Sequence, residues 1–230
     1  MTLPRAPRTH LENQQFKDRI IDTALRLVVD GGFKNLSMRR IASKLKISAT
    51  TIYNYVSGKD ELNLMIRMRG FGMLYKRLER GYRANGGFEE RIGGMIRGYV
   101  DFGINYPAYY DIMFSLGTPK YLDYVGTRME PVARKEKDTA LRCFDIFSRM
   151  FSEYLLAHGG DGDEDFIGFV TAKAWSDLHG IVSLYNSRVL LEITEDGRFL
   201  LNRRVNDIIL TVLDSGKLPG RAAEKSKKRR

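Results

Sequence analysis

The sequence predicts an all-α protein, with a small three-helix unit at its N-terminal end and a larger helical bundle after it. Along most of the 230 residues, apolar side chains recur at the three- and four-residue spacing of an amphipathic helix. No segment alternates apolar and polar residues for long enough to indicate a β-strand. Glycine and proline, as in Gly31-Gly32 and Gly117-Thr118-Pro119, divide the chain into separate helical segments.

The composition is that of a soluble globular protein. Hydrophobic residues make up 43% of the chain and charged residues 29%. No apolar run reaches the roughly 18 residues that a membrane-spanning helix needs. The single cysteine, Cys143, excludes an internal disulfide, so we expect a protein of the reducing cytoplasm.

Three helices are predicted in the first third of the chain. The first covers Phe16 to Asp30 and ends at Gly31-Gly32, where a glycine suits a left-handed C-cap. Ser37 is positioned to cap a second helix with an apolar face, and Ser48 to cap a short third helix that ends near Tyr55. A further helix, from about Gly58 to Arg83, begins with Ser57 and the Asp60 carboxylate in a near capping box.

The short third helix is too polar to be wholly buried. Ile52 and Val56 fall on its apolar side, which leaves a polar face. A pair of short helices with a tight turn, the second presenting a polar face, is typical of a helix laid into the major groove of DNA. The alternative is an ordinary helical hairpin in a globular core.

Positive charge is concentrated at the two ends of the chain. Residues 1–69 carry 13 basic and 6 acidic residues, a net charge of +7, and residues 217–230 carry +6. Residues 70–216 carry 18 basic and 21 acidic residues, a net charge of −3. Positive charge concentrated in this way indicates binding to nucleic-acid phosphates. In a protein that is merely basic and soluble, the charge would be spread along the chain.

The stretch LSMRRIASKLKISATTIYNYVSGKDEL, within Phe16 to Ile66, closely resembles the DNA-binding region of the TetR family of bacterial regulators. Thr50 replaces a common glycine, and Asn54-Tyr55 replaces a frequent His-Phe pair, so these departures concern base preference. The later stretch AKAWSDLHGIVSL, Ala172 to Leu184, resembles the Trp–His–Gly signature of one group of C-terminal domains in that family.

Composition at the two ends of the chain, together with the resemblance between them, predicts four regions. They are a flexible basic arm (1–12), a helix-turn-helix DNA-binding domain (13–60), a helical ligand-binding and dimerisation domain (61–216) and a disordered basic tail (217–230). In the DNA-binding domain, we expect base edges to be contacted by Ser48, Ala49, Thr50, Thr51 and Asn54. Phosphates would be held by Arg39, Thr50, Tyr53 and Lys59.

The C-terminal half reads as further helices with large aromatic residues. Either an ordinary core or an apolar ligand pocket explains them, and the resemblance implies a pocket. The candidate pocket residues are Phe102, Tyr106, Tyr110, Met113, Phe114, Phe144, Phe147, Phe151, Trp175 and His179.

The last two long helices carry wide apolar stripes. These suit either the core of one subunit or a four-helix interface between two, and the resemblance implies the interface. The candidate interface residues are Phe169, Leu178, Ile181, Leu201, Val205, Ile208, Ile209 and Val212.

Catalytic and metal chemistry have no support in the sequence. The carboxylates Asp161, Asp163 and Asp165 begin like a calcium loop, but Phe166 and Ala172 stand where its glycine and glutamate belong. We therefore expect no metal, no cofactor and no enzyme activity. The expected partners are operator DNA, a second copy of the chain and a small apolar or amphipathic effector. The alternatives are an architectural DNA-binding protein without an effector, and an enzyme with a remnant helix-turn-helix.

Overall fold

The computed structural model describes residues 9–115 and 117–216, apart from the side chains of Lys34 and Ser115. Within these ranges all regular structure is helical, which confirms the all-α prediction. The predicted basic tail and most of the predicted basic arm lie outside the described residues. The helices are α1 (His10–Gly31), α2 (Met38–Leu45), α3 (Ala49–Tyr53), α4 (Lys59–Tyr82), α5 (Phe88–Asn105), α6 (Pro107–Tyr110), α7 (Tyr121–Tyr124), α8 (Glu130–Ala157), α9 (Glu164–Asn186), α10 (Leu190–Ile193) and α11 (Gly197–Ser215).

The chain divides into two compact units. Unit 1 contains the described residues up to Arg69 together with Asp111–Lys137. Unit 2 contains Gly70–Tyr110 and the described residues from Asp138 onward. Each unit is therefore built from two separate stretches of the chain. None of the described helices combines the length and the hydropathy that crossing a membrane requires.

Helix α1 begins six residues before the predicted start at Phe16. The reason is a capping box that the apolar pattern did not reveal. The Thr9 backbone N–H donates to the Glu12 carboxylate at 2.7 Å, and the Glu12 backbone N–H donates to Thr9 Oγ1 at 3.3 Å. The helix ends at Gly32, whose φ of 72° lies in the region that favours glycine.

Side-chain caps set the two short helices that follow. Ser37 Oγ accepts from the Arg40 backbone N–H, and Ser48 Oγ accepts from the Thr51 backbone N–H, as the sequence predicted. Helix α3 stops at Tyr53, two residues earlier than expected. Between α2 and α3, Lys46 adopts a left-handed conformation with φ 56° that turns the chain.

Two capping carboxylates differ from those predicted. At the start of α4, the Ser57 backbone N–H donates to Glu61 at 2.6 Å, one position beyond the predicted Asp60. The sequence predicts Asp165 as the cap of the helix that carries Trp175, which is α9. The cap is Asp163 instead, because Asp163 Oδ1 accepts from the backbone N–H groups of Asp165 and Phe166. In both places two carboxylates lie close together in the sequence, so the sequence could not show which of them caps the helix.

A buried ion pair joins the two stretches that form unit 1. Arg67 Nε donates to the Glu136 carboxylate at 2.8 Å, and both side chains are almost fully buried. The Arg67 guanidinium also donates to the backbone carbonyls of Ile112 and Met113, in a π-helical turn over Asp111–Ser115. A buried charge pair is stable only when the remaining donors are satisfied, and these carbonyls supply acceptors.

Unit 2 is a bundle in which α5, α9 and α11 pack against one another. Where the unit 2 part of α4 meets α5, glycines allow the two backbones to approach closely. A Cβ atom at Gly81 would lie only 2.4 Å from the Met95 backbone nitrogen. The crossing therefore requires a residue without a side chain at this position.

Candidate nucleic-acid interface and effector site

Helix α3 is anchored on one side and exposed on the other. Ile52 is fully buried and Val56 nearly so, while Thr50, Tyr53 and Asn54 are exposed. The Tyr53 ring keeps 55% of its surface exposed, although large aromatic side chains are usually buried. The buried side of α3 therefore fixes the helix, and its opposite side exposes a row of hydrogen-bonding groups to solvent.

Two hydroxyls predicted to reach DNA bases are bonded to each other. Ser48 Oγ and Thr51 Oγ1 lie 2.8 Å apart, and Ser48 Oγ also accepts the Thr51 backbone N–H at 3.1 Å. Ser48 therefore has a structural task as the cap of α3. Ala49 and Thr51 are half-buried, so the most accessible polar groups on this helix are those of Thr50, Tyr53 and Asn54.

The two predicted cations lie on different helices of unit 1. Arg39 is exposed on α2. Lys59 is the first residue of α4, and its Nζ lies 4.1 Å from the centre of the Phe33 ring, which fixes the ammonium at the start of the helix. The first turn of a helix presents backbone N–H groups and a partial positive charge, so an anion is favoured there.

A cavity of about 370 Å³ lies in unit 1 beside α1 and the end of α2, and it contains none of the predicted ligand residues. Carboxylates and cations both line it, so its charge is mixed. The lining residues are Arg19, Asp22, Thr23, Arg26, Leu27, Asp30, Lys44 and Leu45.

Unit 2 contains a chain of hydrogen bonds through four aromatic side chains. Trp175 Nε1 donates to the Tyr99 hydroxyl at 3.2 Å. The Tyr99 and Tyr110 hydroxyls are 3.3 Å apart, and the Tyr110 hydroxyl is 2.7 Å from His179 Nδ1. Tyr110, Trp175 and His179 were predicted pocket residues, and the structure brings them together.

Tyr99 is the member of this chain that the sequence reading missed. It precedes Phe102 by three residues and Tyr106, the C-cap of α5, by seven, and this is the spacing of residues on one side of a helix. That spacing was available in the sequence and would have identified it.

The remaining predicted pocket residues do not form one group. Met113 and Phe114 belong to unit 1, whereas the other eight belong to unit 2. Phe151 packs against Tyr154 and Phe166 as ordinary core. Phe144 is closer to the hydrogen-bonded chain, since its ring meets the Trp175 ring edge-on at a centroid distance of 6.3 Å.

Burial drives the titratable groups of this region to their neutral forms. It raises the pKa of the Tyr99 phenol to about 12 and that of the Cys143 thiol to about 12. Burial also lowers the pKa of His179, which favours the neutral imidazole. A neutral ring can accept the Tyr110 hydroxyl proton at Nδ1 and carry its own proton on Nε2.

The apolar stripes predicted as an interface are mostly core of the single subunit. Of the eight residues, only Phe169 is exposed, at 65%. A side chain buried in its own subunit has no surface left for a partner, so the assignment needs correction. The residues buried inside unit 2 are Leu178, Ile181, Leu201, Val205, Ile208, Ile209 and Val212.

Two successive stretches of the chain match family models of known sequences. Residues 20–64 match the sequence model described as bacterial regulatory proteins, tetR family. Residues 92–215, more than half of the chain, match the model described as tetracyclin repressor-like, C-terminal domain.

Among curated relatives, the chain is 23% identical to the HTH-type transcriptional regulator YobS of Bacillus subtilis over 92 residues, 40% of this chain and 48% of YobS. It is 23% identical to the HTH-type regulator Rv1816 of Mycobacterium tuberculosis over 110 residues, 47% of each chain. The chain thus spans about half the length of these relatives.

Solved structures share the fold over nearly the whole chain. The regulatory protein SCO4313 superposes with a TM-score of 0.68 at 19% identity, covering 88% of this chain and 98% of its own. The transcriptional regulator FadR of Bacillus subtilis, solved in complex with stearoyl-CoA, gives 0.63 at 14% identity, covering 84% and 97%. At these identities the likeness establishes the fold alone.

A capped helix-turn-helix followed by an all-α bundle is the architecture of helix-turn-helix transcriptional regulators. The chain belongs to the TetR family.

Proposed function

We propose that the protein is a homodimeric repressor that binds a palindromic operator and is released from it by a small apolar or amphipathic effector. The observation that carries this proposal is the row of exposed polar side chains on α3. Buried Ile52 fixes the opposite side of that helix. Its Thr50, Tyr53 and Asn54 side chains would reach the major groove, with Ala49 and Thr51 at the edge of the same surface.

Phosphate contacts would fix how the helix lies in the groove. Arg39 on α2 and Lys59 at the start of α4 flank the α3 surface in sequence, and Lys59 combines its ammonium with helix N–H groups. Two copies related by twofold symmetry would read half-sites about 34–36 Å apart, one turn of DNA.

The dimer surface is proposed on the exposed face of α9. Small residues recur there every four positions, at Gly168, Ala172, Ser176 and Gly180, and no atom lies within 4 Å of a Cβ placed at either glycine. Large exposed apolar side chains stand on α9 and α11: Phe169, Leu184, Phe199 and Leu210. Small residues allow helices to approach closely, and the larger side chains supply apolar area to bury.

The test is selection of bound sequences from random DNA, followed by binding curves on the selected site and a scrambled copy. We expect a palindromic consensus and at least a thousandfold preference for it, the lower end for specific binders. The alternative is an architectural protein that coats DNA through its basic residues, favoured by the net charge of +7 over residues 1–69. A ratio near one between the affinities for the selected and the scrambled DNA would support that alternative and contradict the proposed repressor.

A further inference from the structure

The cavity in unit 1 is formed by one face of α1 and the end of α2. Its α1 residues stand at positions 19, 22, 23, 26, 27 and 30, the spacing of one helix face, and Lys44 and Leu45 complete the lining. Leu27 is buried and Leu45 half-buried, whereas the basic side chains are exposed. The volume of about 370 Å³ lies within the roughly 300–1,000 Å³ of small-molecule sites. The cavity therefore combines an apolar base, the two leucines, with a charged rim.

Arg26 lies four residues from a carboxylate on either side and forms an ion pair with neither. A spacing of four residues normally allows such a pair on a helix. Asp22 is instead bound by Arg69 of α4, whose Nη1 lies 2.7 Å from Asp22 Oδ1. The Asp30 side chain has no ion pair or hydrogen bond to any residue in the described ranges, 9–115 and 117–216. The guanidinium of Arg26 therefore lines the cavity without a carboxylate partner among those residues.

Two more cations line the same cavity. Neither Arg19 nor Lys44 forms an ion pair with a carboxylate in the part of the chain that the structure describes. Because Arg69 neutralises Asp22 from outside the cavity, the three lining cations are opposed by one unpaired carboxylate, that of Asp30. The lining therefore has an excess of two positive charges, and an anion is the ligand that it favours.

From this arrangement we infer that the cavity binds a small phosphate monoester, with the phosphate held by Arg26 and Lys44 and the organic part packed on the two leucines. A phosphate monoester carries a charge of about −1.5 to −2 at pH 7, which matches the excess charge of the lining. A guanidinium binds phosphate oxygens through two parallel hydrogen bonds, and an ammonium adds a point charge. The Thr23 hydroxyl, also in the lining, can donate a further hydrogen bond.

This site goes beyond the proposed function. The cavity contains none of the residues that we assign to operator contacts or to the dimer surface, and it lies in unit 1. A ligand in it would connect α1 with the end of α2, directly before the turn at Lys46 that leads to α3. A phosphate of the DNA backbone shares the chemistry of the inferred ligand but has only one negative charge, so the test must separate the two sources.

The probes are phenyl phosphate and phenyl sulfate, which share their ring and differ in charge. At about pH 8, well above the second phosphate pKa near 6, phenyl phosphate is a dianion, whereas phenyl sulfate is a monoanion. Titrations are followed by the backbone amide signals of residues 19–30 and 44–45 in ¹H–¹⁵N correlation spectra. We expect these signals to shift, with an affinity for phenyl phosphate at least tenfold higher than that for phenyl sulfate. Equal affinities, or no shift of these signals up to the solubility limit of phenyl phosphate, would overturn the inference.

A pair of variants locates the anion. Arg26→Gln removes a cavity cation and introduces another good helix former, so the affinity for phenyl phosphate should fall at least tenfold. Lys17→Gln removes the same charge from α1 outside the cavity and should leave the affinity unchanged. If Arg26→Gln keeps its helix content by circular dichroism and binds phenyl phosphate as the parent does, the assignment of the anion site is wrong.

Binding of labelled double-stranded DNA, measured by fluorescence anisotropy at increasing salt, shows whether DNA itself fills the cavity. A backbone phosphate held there would make Arg26→Gln lower the slope of log affinity against log salt by about 0.9. We expect instead the same slope for Arg26→Gln, Lys17→Gln and the parent. A lowered slope in the Arg26 variant alone would assign the cavity to DNA and overturn the inference of a phosphorylated small molecule.

Discussion

The Ser48 hydroxyl caps α3 and bonds to the Thr51 hydroxyl at the same time. Losing an N-cap of this kind costs about 1 kcal/mol of stability. A base contact by Ser48 would have to compete with both existing bonds. At the scale of single residues, reading of the DNA sequence therefore falls mainly to Thr50, Tyr53 and Asn54, while Ser48 and Thr51 hold the helix.

Replacing Lys59 by alanine should weaken binding to all DNA sequences alike. Removing one phosphate contact lowers the slope of log affinity against log salt by about 0.9. Titrations of operator and scrambled DNA from low to moderate salt give this slope. Lys76→Ala, at an exposed lysine of unit 2, is the matched control and should leave the slope unchanged. An unaltered slope for the Lys59 variant would remove this residue from the interface.

The stability of unit 2 should depend on pH through His179. Its pKa lies below the usual 6.5 in the folded state because of burial, so the unfolded chain binds the proton more readily. Stability is then full above about 6.5 and falls as the pH drops from there toward the folded-state pKa. Urea titrations between pH 8 and 5 should show a shallower decline for His179→Gln. An identical decline would mean that other groups cause it.

At the scale of helices, the contact of α4 with α5 in unit 2 gives a paired prediction. Gly81→Ala places a methyl group 2.4 Å from the Met95 backbone nitrogen and 2.6 Å from the Gly94 carbonyl carbon, so backbone must move. We expect a loss of about 1–3 kcal/mol in the free energy of unfolding. Gly72→Ala is the control in the same helix, with no atom within 4 Å of its new Cβ, and should stabilise by up to about 1 kcal/mol. Equal effects in urea denaturation would contradict the close approach.

Long helices were predictable from their repeated apolar spacing, and short ones only where a serine cap marked their start, as at α2 and α3. The apolar spacing predicts one helix from Phe88 to about Tyr106 and another from about Gly197 to Asp214. The observed bounds of α5 and α11 agree within a residue, because four or more turns repeat that spacing. Helices α7 and α10 have four residues each, too few to show a period, and they were missed. The π-helical turn at Asp111–Ser115 accepts hydrogen bonds from Arg67, which is remote in sequence, so no local pattern could reveal this contact.

At the scale of the whole molecule, the spacing of apolar residues could not show whether an apolar stripe is covered by the same chain or by a second copy. Leu201, Val205 and Ile208 recur at helical spacing whether they face α9 of their own chain or a second chain. The exposed face of α9 was overlooked because small residues such as Gly168 and Ala172 give no apolar signal. Burial in the folded subunit supplied the missing information.

Ala172→Glu should convert a dimer into monomers, because it places a carboxylate on the proposed close-contact face of α9 beside its counterpart in the second copy. Light scattering after size exclusion gives the mass. Operator affinity should fall by at least tenfold, since the two DNA-binding domains are no longer linked and each binds its half-site alone. Ala84→Glu, at an exposed residue after α4, is the control. A variant that keeps the parental mass would place the dimer surface elsewhere.

The lone thiol of Cys143 donates to the Phe71 carbonyl oxygen at 3.5 Å, between α8 and the unit 2 part of α4. With its pKa raised to about 12, very little reactive thiolate forms while the two helices stay together. The rate at which a chromogenic disulfide reagent in excess labels the native protein therefore reports how often α4 and α8 separate. Each chain reacts once, and the measurement needs no engineered cysteine.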